Sequence, residues 1–144
     1  MPTFEPRDPD FELRVRASFA RQPMMTTLGA ELVTIEPGSV QIMLPFRDDL
    51  TQQNGFLHAA AVTAIADSAC GYAAMTLTAP GHDVLSVEFK VNLLAPAVGA
   101  RFVATGRVLR PGRTLTVSTA EVRGDDDKLI AAMQATIIAR RIPD

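Results

Sequence analysis

A single cysteine, Cys70, stands in a chain of 144 residues, so no disulfide can form within it. That excludes a disulfide-stapled secreted scaffold and makes a reducing, cytoplasmic setting the expectation. The opening residues, MPTFEPRDPDFELR, lack the apolar core of a secretory signal. Excess positive charge is missing as well: the net charge is −2, with 21% charged residues. Nonspecific nucleic-acid binding needs a dense Lys/Arg surface and is not expected, although local arginines leave anionic ligands open. There is no repeat, linker or low-complexity segment. A membrane span is also unsupported. The one long apolar stretch, Phe56–Ala79, is alanine-rich and carries Asp67 near its middle. A central Asp costs about 2.5–3.5 kcal/mol on insertion scales.

What remains is an ordinary globular profile, 47% hydrophobic, with enough length for one domain and a real core. The reading is one domain over residues 1–144, with residues 1–9 as a loose tail containing three prolines. Phe11, Val15 and Phe19 recur at spacing four, which predicts an amphipathic helix over 10–21 closed by Pro23. Two β-rich runs, 30–36 and 39–45, flank Glu36-Pro37-Gly38-Ser39 and read as a hairpin. A long helix is expected over 57–79, stopped by Pro80-Gly81. Then come four strand-like runs: 84–94, 100–110, 113–123 and 129–140. In the first of them Val87, Phe89, Val91 and Leu93 alternate with Ser86, Glu88, Lys90 and Asn92. Tight turns between these runs make an antiparallel meander the economical arrangement. The class is therefore α+β: one apolar helix wrapped by a curved, six-stranded antiparallel sheet, with an extra N-terminal helix. A sheet covers one side of such a helix. A second copy of the chain is the simplest cover for the other side.

Asp67 is the only formal charge between Leu57 and Ala79. A lone carboxylate on an apolar helix is costly unless it is used or paired. The helix start near His58 offers unpaired N–H groups and the positive end of the helix dipole, which suit a carbonyl oxygen gaining negative charge. Asp67 lies eight residues beyond Ala59, about 12 Å along the axis at 1.5 Å per residue. One chain cannot bring both to one carbonyl, whereas two antiparallel copies of the helix can. Ala60, Thr63, Ala64, Gly71 and Ala74 are small enough to let another backbone approach.

The segment Gln52-Gln53-Asn54-Gly55-Phe56-Leu57-His58-Ala59-Ala60, taken with Asp67, resembles the hotdog-fold acyl-CoA thioesterases, and among them the branch of the phenylacetate-pathway PaaI type. The family pattern has a polar residue, a His six positions later, two glycines, and an Asp nine positions after the His. Here these are Gln52, His58, Ala59-Ala60 and Asp67, and Ser86 matches a Ser or Thr early in the next strand. Alanines replace the two glycines, and alanine keeps the backbone N–H that the family uses. The resemblance implies hydrolysis of an acyl-CoA thioester at a site shared by two protomers, in a homodimer or dimer of dimers. Asp67 would be general base or nucleophile, and the Ala59 N–H the oxyanion donor. Gln52 and Ser86 would orient water or carbonyl, with His58 supporting the loop. No metal or separate cofactor is implied, because coenzyme A belongs to the substrate. Arg107, Arg110 and Arg113, with Gly112, resemble an arginine-glycine turn of relatives and would bind coenzyme A phosphates; a solvated hairpin reads equally from the same residues.

Two other functions share the fold. A hydratase or dehydratase uses a His with an acid at another spacing and a proline- and glycine-rich approach to the helix, which this chain lacks. A non-catalytic acyl-CoA-binding protein is expected to carry a further DNA-binding segment, and none fits the short N-terminus. Cys70 has no cation at spacing three or four and reads as core rather than nucleophile; Ser68 is the other nucleophile considered. Asp125-Asp126-Asp127 lacks calcium-loop spacing and reads as a solvated turn.

Overall fold

In the computed structural model, which describes residues 2–144, the first helix, α1, spans Phe11–Ala20. Pro23 does not simply end it. It opens a second short helix, α2 (Pro23–Leu28), with Pro at its first turn and Gly29 closing it at φ 74°. Proline suits that first position because its missing N–H would have no helical partner there. The stretch ahead of α1, expected to be loose, is mostly exposed but anchored at two points; Met1 lies outside the described residues. Asp8 is buried and pairs with Arg14 at 2.6 Å, and Phe4 lies where a side chain on Gly38 would otherwise sit.

The first hairpin is β1 (Glu31–Glu36) and β2 (Ser39–Pro45). Val40, Ile42 and Leu44 on β2 alternate into the core. The long helix, α3, runs over Ala59–Met75, shorter at its C-terminus than periodicity predicts. The cause is local. Thr76 Oγ1 donates to the Ala73 carbonyl at 2.6 Å and Thr78 Oγ1 to that of Met75 at 2.9 Å. Arg14 then donates to the carbonyls of Thr78 and Ala79. These donors satisfy carbonyls that a longer helix would have paired internally.

Four strands follow: β3 (His82–Leu93), β4 (Arg101–Arg110), β5 (Leu115–Gly124) and β6 (Leu129–Arg141). All neighbours are antiparallel, in the order β1-β2-β4-β5-β6-β3. Only β4–β5–β6 form the expected meander. β3 pairs with β6 and stands at an edge, and β2, not β3, is the outer neighbour of β4. The six-stranded sheet curving round one helix is the hotdog fold.

The core lies between α3 and the sheet, with Ile65, Ala66, Ala69 and Cys70 against Ile42, Phe102, Ala104 and Val122. Approach is closest at Gly106, where a Cβ would collide with the Ala69 carbonyl. The opposite stripe of α3 is half open: Thr63, Ala64, Asp67 and Gly71 are half-buried and Ala60 is exposed. Ala74, the last of the small residues picked from spacing, is buried instead within the chain's own core. Among the described residues, no helix is long and apolar enough to cross a membrane.

Candidate active site

Strand β3 carries the feature that builds the site. Its register on β6 shifts between Ser86 and Glu88, so Val87 is an extra, unpaired residue. A bulge of this kind reverses the alternation beyond it. Phe89 pairs with buried Ala135 and Ser86 with buried Ile137, so both face the helix side of the sheet. Simple alternation had placed Ser86 with Glu88, Lys90 and Asn92 on the other face. The bulge turns Ser86 inward, where its hydroxyl donates to Asp67 Oδ1 at 2.6 Å. Asp67 and Ser86 together line a cavity of about 490 Å³ that continues past Ser68 and Tyr72 to Gln22.

The other sequence candidates lie at the start of α3. His58 is the N-cap, and the Ala60 N–H donates to its Nδ1 at 2.8 Å. That bond requires an unprotonated Nδ1, so the ring caps the helix and orients the loop. The Ala61 and Val62 N–H groups bond to the His58 carbonyl. The Ala59 N–H donates to no group among the described residues. Gln52 holds a tight turn: its side-chain carbonyl accepts from the Asn54 N–H, and its own N–H donates to the Phe56 carbonyl at 2.9 Å. Gln52 and Ala59 line a second cavity, of about 450 Å³, with apolar walls from Leu57, Val62, Leu93 and Ile130. Within one chain, then, the acid and the free amide face different cavities.

A third location holds the arginine turn. Gly112 and Arg113 line a cavity of about 230 Å³ at the C-terminal end of α3, with Arg7 and His82. Arg110 is not among its lining residues, and Arg107 lines a separate one beside Ser39. Gly112 has a structural reason of its own, since a Cβ would collide with the Leu115 carbonyl.

One reading of a single residue changes, at Asp125, and one holds, at Cys70. Asp125 is no mere solvated turn: it accepts the N–H groups of Ala100 and Arg101, both at 2.8 Å, and these bonds hold its carboxyl below the usual carboxylate range. Cys70 is buried, and burial, with the Asp67 charge second, pushes its thiol up to about 12. At neutral pH it carries essentially no thiolate. Sequence reasoning missed the polar side of the Asp67 cavity. Ser68 Oγ donates to Gln22 Oε1 at 3.2 Å, and Gln22 Nε2 donates to the Tyr72 hydroxyl at 3.0 Å. The i, i+4 spacing of Ser68 and Tyr72 beside Asp67 was the only available signal, because Gln22 arrives from the turn between α1 and α2.

Comparison with known proteins names this class. Residues 54–131 match the family model of the thioesterase superfamily, and the chain belongs to that family. Hydrolysis of a thioester is its general chemistry. A thioesterase family protein from Silicibacter pomeroyi, solved by crystallography, is 50% identical. It superposes with a TM-score of 0.89 over 92% of this chain and 99% of its own. The E. coli PaaI protein of the phenylacetic acid degradation operon shares the fold at 17% identity, with a TM-score of 0.84 over 93% of this chain and 94% of its own. A Salmonella typhimurium protein described as medium/long-chain acyl-CoA thioesterase YigI is 26% identical, covering 79% of this chain and 83% of that protein.

Proposed function

We propose that this thioesterase hydrolyses an acyl-CoA at a site completed by two antiparallel protomers. One observation carries the reading. The only acid on α3, held by Ser86, and the free amide at Ala59 are eight residues apart on one helix and face separate cavities. A thioester carbonyl bound at the amide needs the acid from elsewhere, and the half-open stripe of α3 is where a second copy fits. The Salmonella relative, by its description, acts on acyl-CoA, which supports coenzyme A as the thiol. The Gly112–Arg113 turn is the candidate for its phosphates.

The residues then divide the work. The Ala59 N–H, at the positive end of α3, stabilises the oxygen that becomes negative as the carbonyl carbon turns tetrahedral. Ser86 spends its hydroxyl proton on Asp67 Oδ1, so it orients the carboxylate and leaves Oδ2 for water. As general base, Asp67 takes a proton from that water while its oxygen attacks the carbonyl carbon. Collapse breaks the C–S bond, and the proton passes to the departing thiolate. As nucleophile, Asp67 would attack the carbonyl carbon and expel the coenzyme A thiolate, giving an anhydride that water then opens, its proton passing to the thiolate. Gln52, its carbonyl already used, presents its NH₂ to the bound ester. His58 acts through the loop.

The test uses two variants. Asp67→Asn removes the base. Ala59→Pro removes the N–H at a position where proline is tolerated, and His58, at φ −62° and ψ 139°, already has the extended backbone that a following proline requires. Each alone should lower acyl-CoA turnover by at least ~100-fold. Denatured together and refolded, the two should recover about a quarter of wild-type activity, because half the dimers are mixed and each mixed dimer has one intact site. No recovery on mixing would overturn the shared site. Binding of acyl-CoA without thiol release by the wild type would instead indicate a non-catalytic binding protein.

A further inference from the structure

We infer that the cavity where the β1–β2 turn meets β4 binds a small monocarboxylate with an apolar body, anchored by Arg107. This is a second site. It shares no lining residue with the cavities of Asp67 and Ala59, and it does not rest on the thioesterase reading.

Gly106 faces α3, so Arg107, the next residue of β4, faces the other side of the sheet. Ser39 on β2 and Thr119 on β5 lie in register with it, and Glu36 on β1 pairs in turn with Ser39. Arg107 therefore stands between two hydroxyl residues. Glu36 lies two strand spacings away on the same row, about 10 Å between backbones. Glu121, the diagonal neighbour on β5, is held by Arg123 at 3.0 Å. Arg107 has no ion-pair partner among the described residues, and its buried Nε–H donates to no group there. A buried donor left without an acceptor is destabilising, so this one calls for an acceptor from outside the chain.

The cavity holds about 530 Å³, within the range of small-molecule pockets. Arg107 and Glu36 are the charged side chains of its wall, and the hydroxyls of Thr3, Ser39 and Thr119 complete its polar lining. The apolar part comes mainly from Phe4, Pro37 and Leu109. Phe4 is fixed against Gly38, where a Cβ would collide with its ring. Leu109 is the extra residue of a bulge between the Val108 and Arg110 pairs, and it is left 60% exposed. The charges choose the ligand. A carboxylate can take two parallel bonds from the edge of the guanidinium that carries Nε, with hydroxyl donors on either side. Glu36 would repel the further charges of a phosphate or of coenzyme A, whereas a single negative charge leaves the wall close to neutral. An alkyl or aryl remainder then covers Phe4, Pro37 and Leu109. The acid released by thioester hydrolysis belongs to this class.

The experiment follows the Arg107 Nε–H resonance of the full chain by NMR, assigned through its side-chain connectivity and by its loss in Arg107→Gln. Hexanoate or benzoate should shift it saturably, with a Kd below ~1 mM for at least one of them. Hexanamide and benzamide, similar in shape without the charge, should bind at least ~10-fold more weakly. Leu109→Ser, at an exposed position, should weaken the better acid at least ~3-fold while the resonance stays in place. Inorganic phosphate and coenzyme A should bind more weakly than that acid. No response to either acid, which leaves the donor to water only, overturns the inference. So does equal binding of acid and amide, an affinity unmoved by Leu109→Ser, or tighter binding of phosphate or coenzyme A. The connectivity assignment and Leu109→Ser keep the test decisive if Arg107→Gln fails to fold. An acid bound in the Asp67 cavity does not report at this resonance, and thiol release is not measured, so the thioesterase reading and this one fail separately.

Discussion

The two long sides of α3 are chemically opposite. On the closed side the helix lies so close to the sheet that Gly106 must lack a side chain beneath the Ala69 carbonyl, and Ile65, Ala66 and Ala69 are fully buried. On the open side Thr63, Ala64, Asp67 and Gly71 keep partial access to solvent. The adjoining edge strand β3 leaves inward-facing Phe89 and Leu93 43% and 54% exposed. Packing free energy is concentrated on the first side, and hydrogen-bonding capacity not yet used is concentrated on the second. One helix can serve both because its 3.6-residue period sorts side chains by angle and not by position along the chain.

The sharpest break of this comparison is Asp67→Asn. It should cost turnover at least ~100-fold and leave the melting temperature within a few degrees, measured by thiol release and thermal denaturation. Comparable losses in both would show that the open side is structural. Gly106→Ala is the mirror case. Forcing a Cβ against a backbone carbonyl should cost ~3 kcal/mol, about a 10 °C fall in Tm, while the remaining folded fraction keeps its KM. Ser86→Ala comes next. If Ser86 only orients Asp67, kcat should fall about tenfold with Tm unchanged, and a loss confined to KM would contradict that role.

Cys70 reports on the closed side through pH. Its thiol, raised from 9.0 to about 12, stays protonated where an unfolded thiol ionises. The resulting contribution to stability is full below the unfolded value and lost as pH rises from 9.0 towards about 12. Native protein at pH 8 should therefore react with iodoacetamide at least ~1,000-fold more slowly than denatured protein. Asp67→Asn should speed that reaction modestly, since the Asp67 charge is the smaller of the two causes. The smallest effect is expected at Asp125. Its lowered carboxyl makes the clamp on Ala100 and Arg101 strongest above the ordinary carboxylate value and weaker as pH falls through its own. Asp125→Asn should flatten that acid-side loss in thermal denaturation.

Much of the fold is legible in the chain. Turn residues at Pro37-Gly38, Pro111-Gly112 and Gly124–Asp127 place three hairpins, and the expected starts and ends of β4 and β6 differ from the observed ones by at most a residue. The end of α3 was less legible, because Arg14, sixty-odd residues away, takes part in stopping it. Strand β3 misleads in a more instructive way. Its composition alternates without interruption, yet Val87 is looped out and everything beyond it changes face relative to Ser86. Nothing local to residues 84–94 announces the bulge; pairing with β6 imposes it.

Local chemistry therefore specified the class of fold, the long helix with its single acid, the polar loop ahead of its start near His58, and the spacing that keeps Asp67 from the amide of its own helix. These follow from periodicity, turn preferences and rise per residue, which neighbours along the chain dictate. Folding in three dimensions settled which strand lies at the edge, which way Ser86 points, and that Gln22, Ser68 and Tyr72 share a cavity with the acid. Those relations join residues far apart in sequence, and only the register of the sheet and the packing of α1 and α2 on α3 bring them within reach of one another.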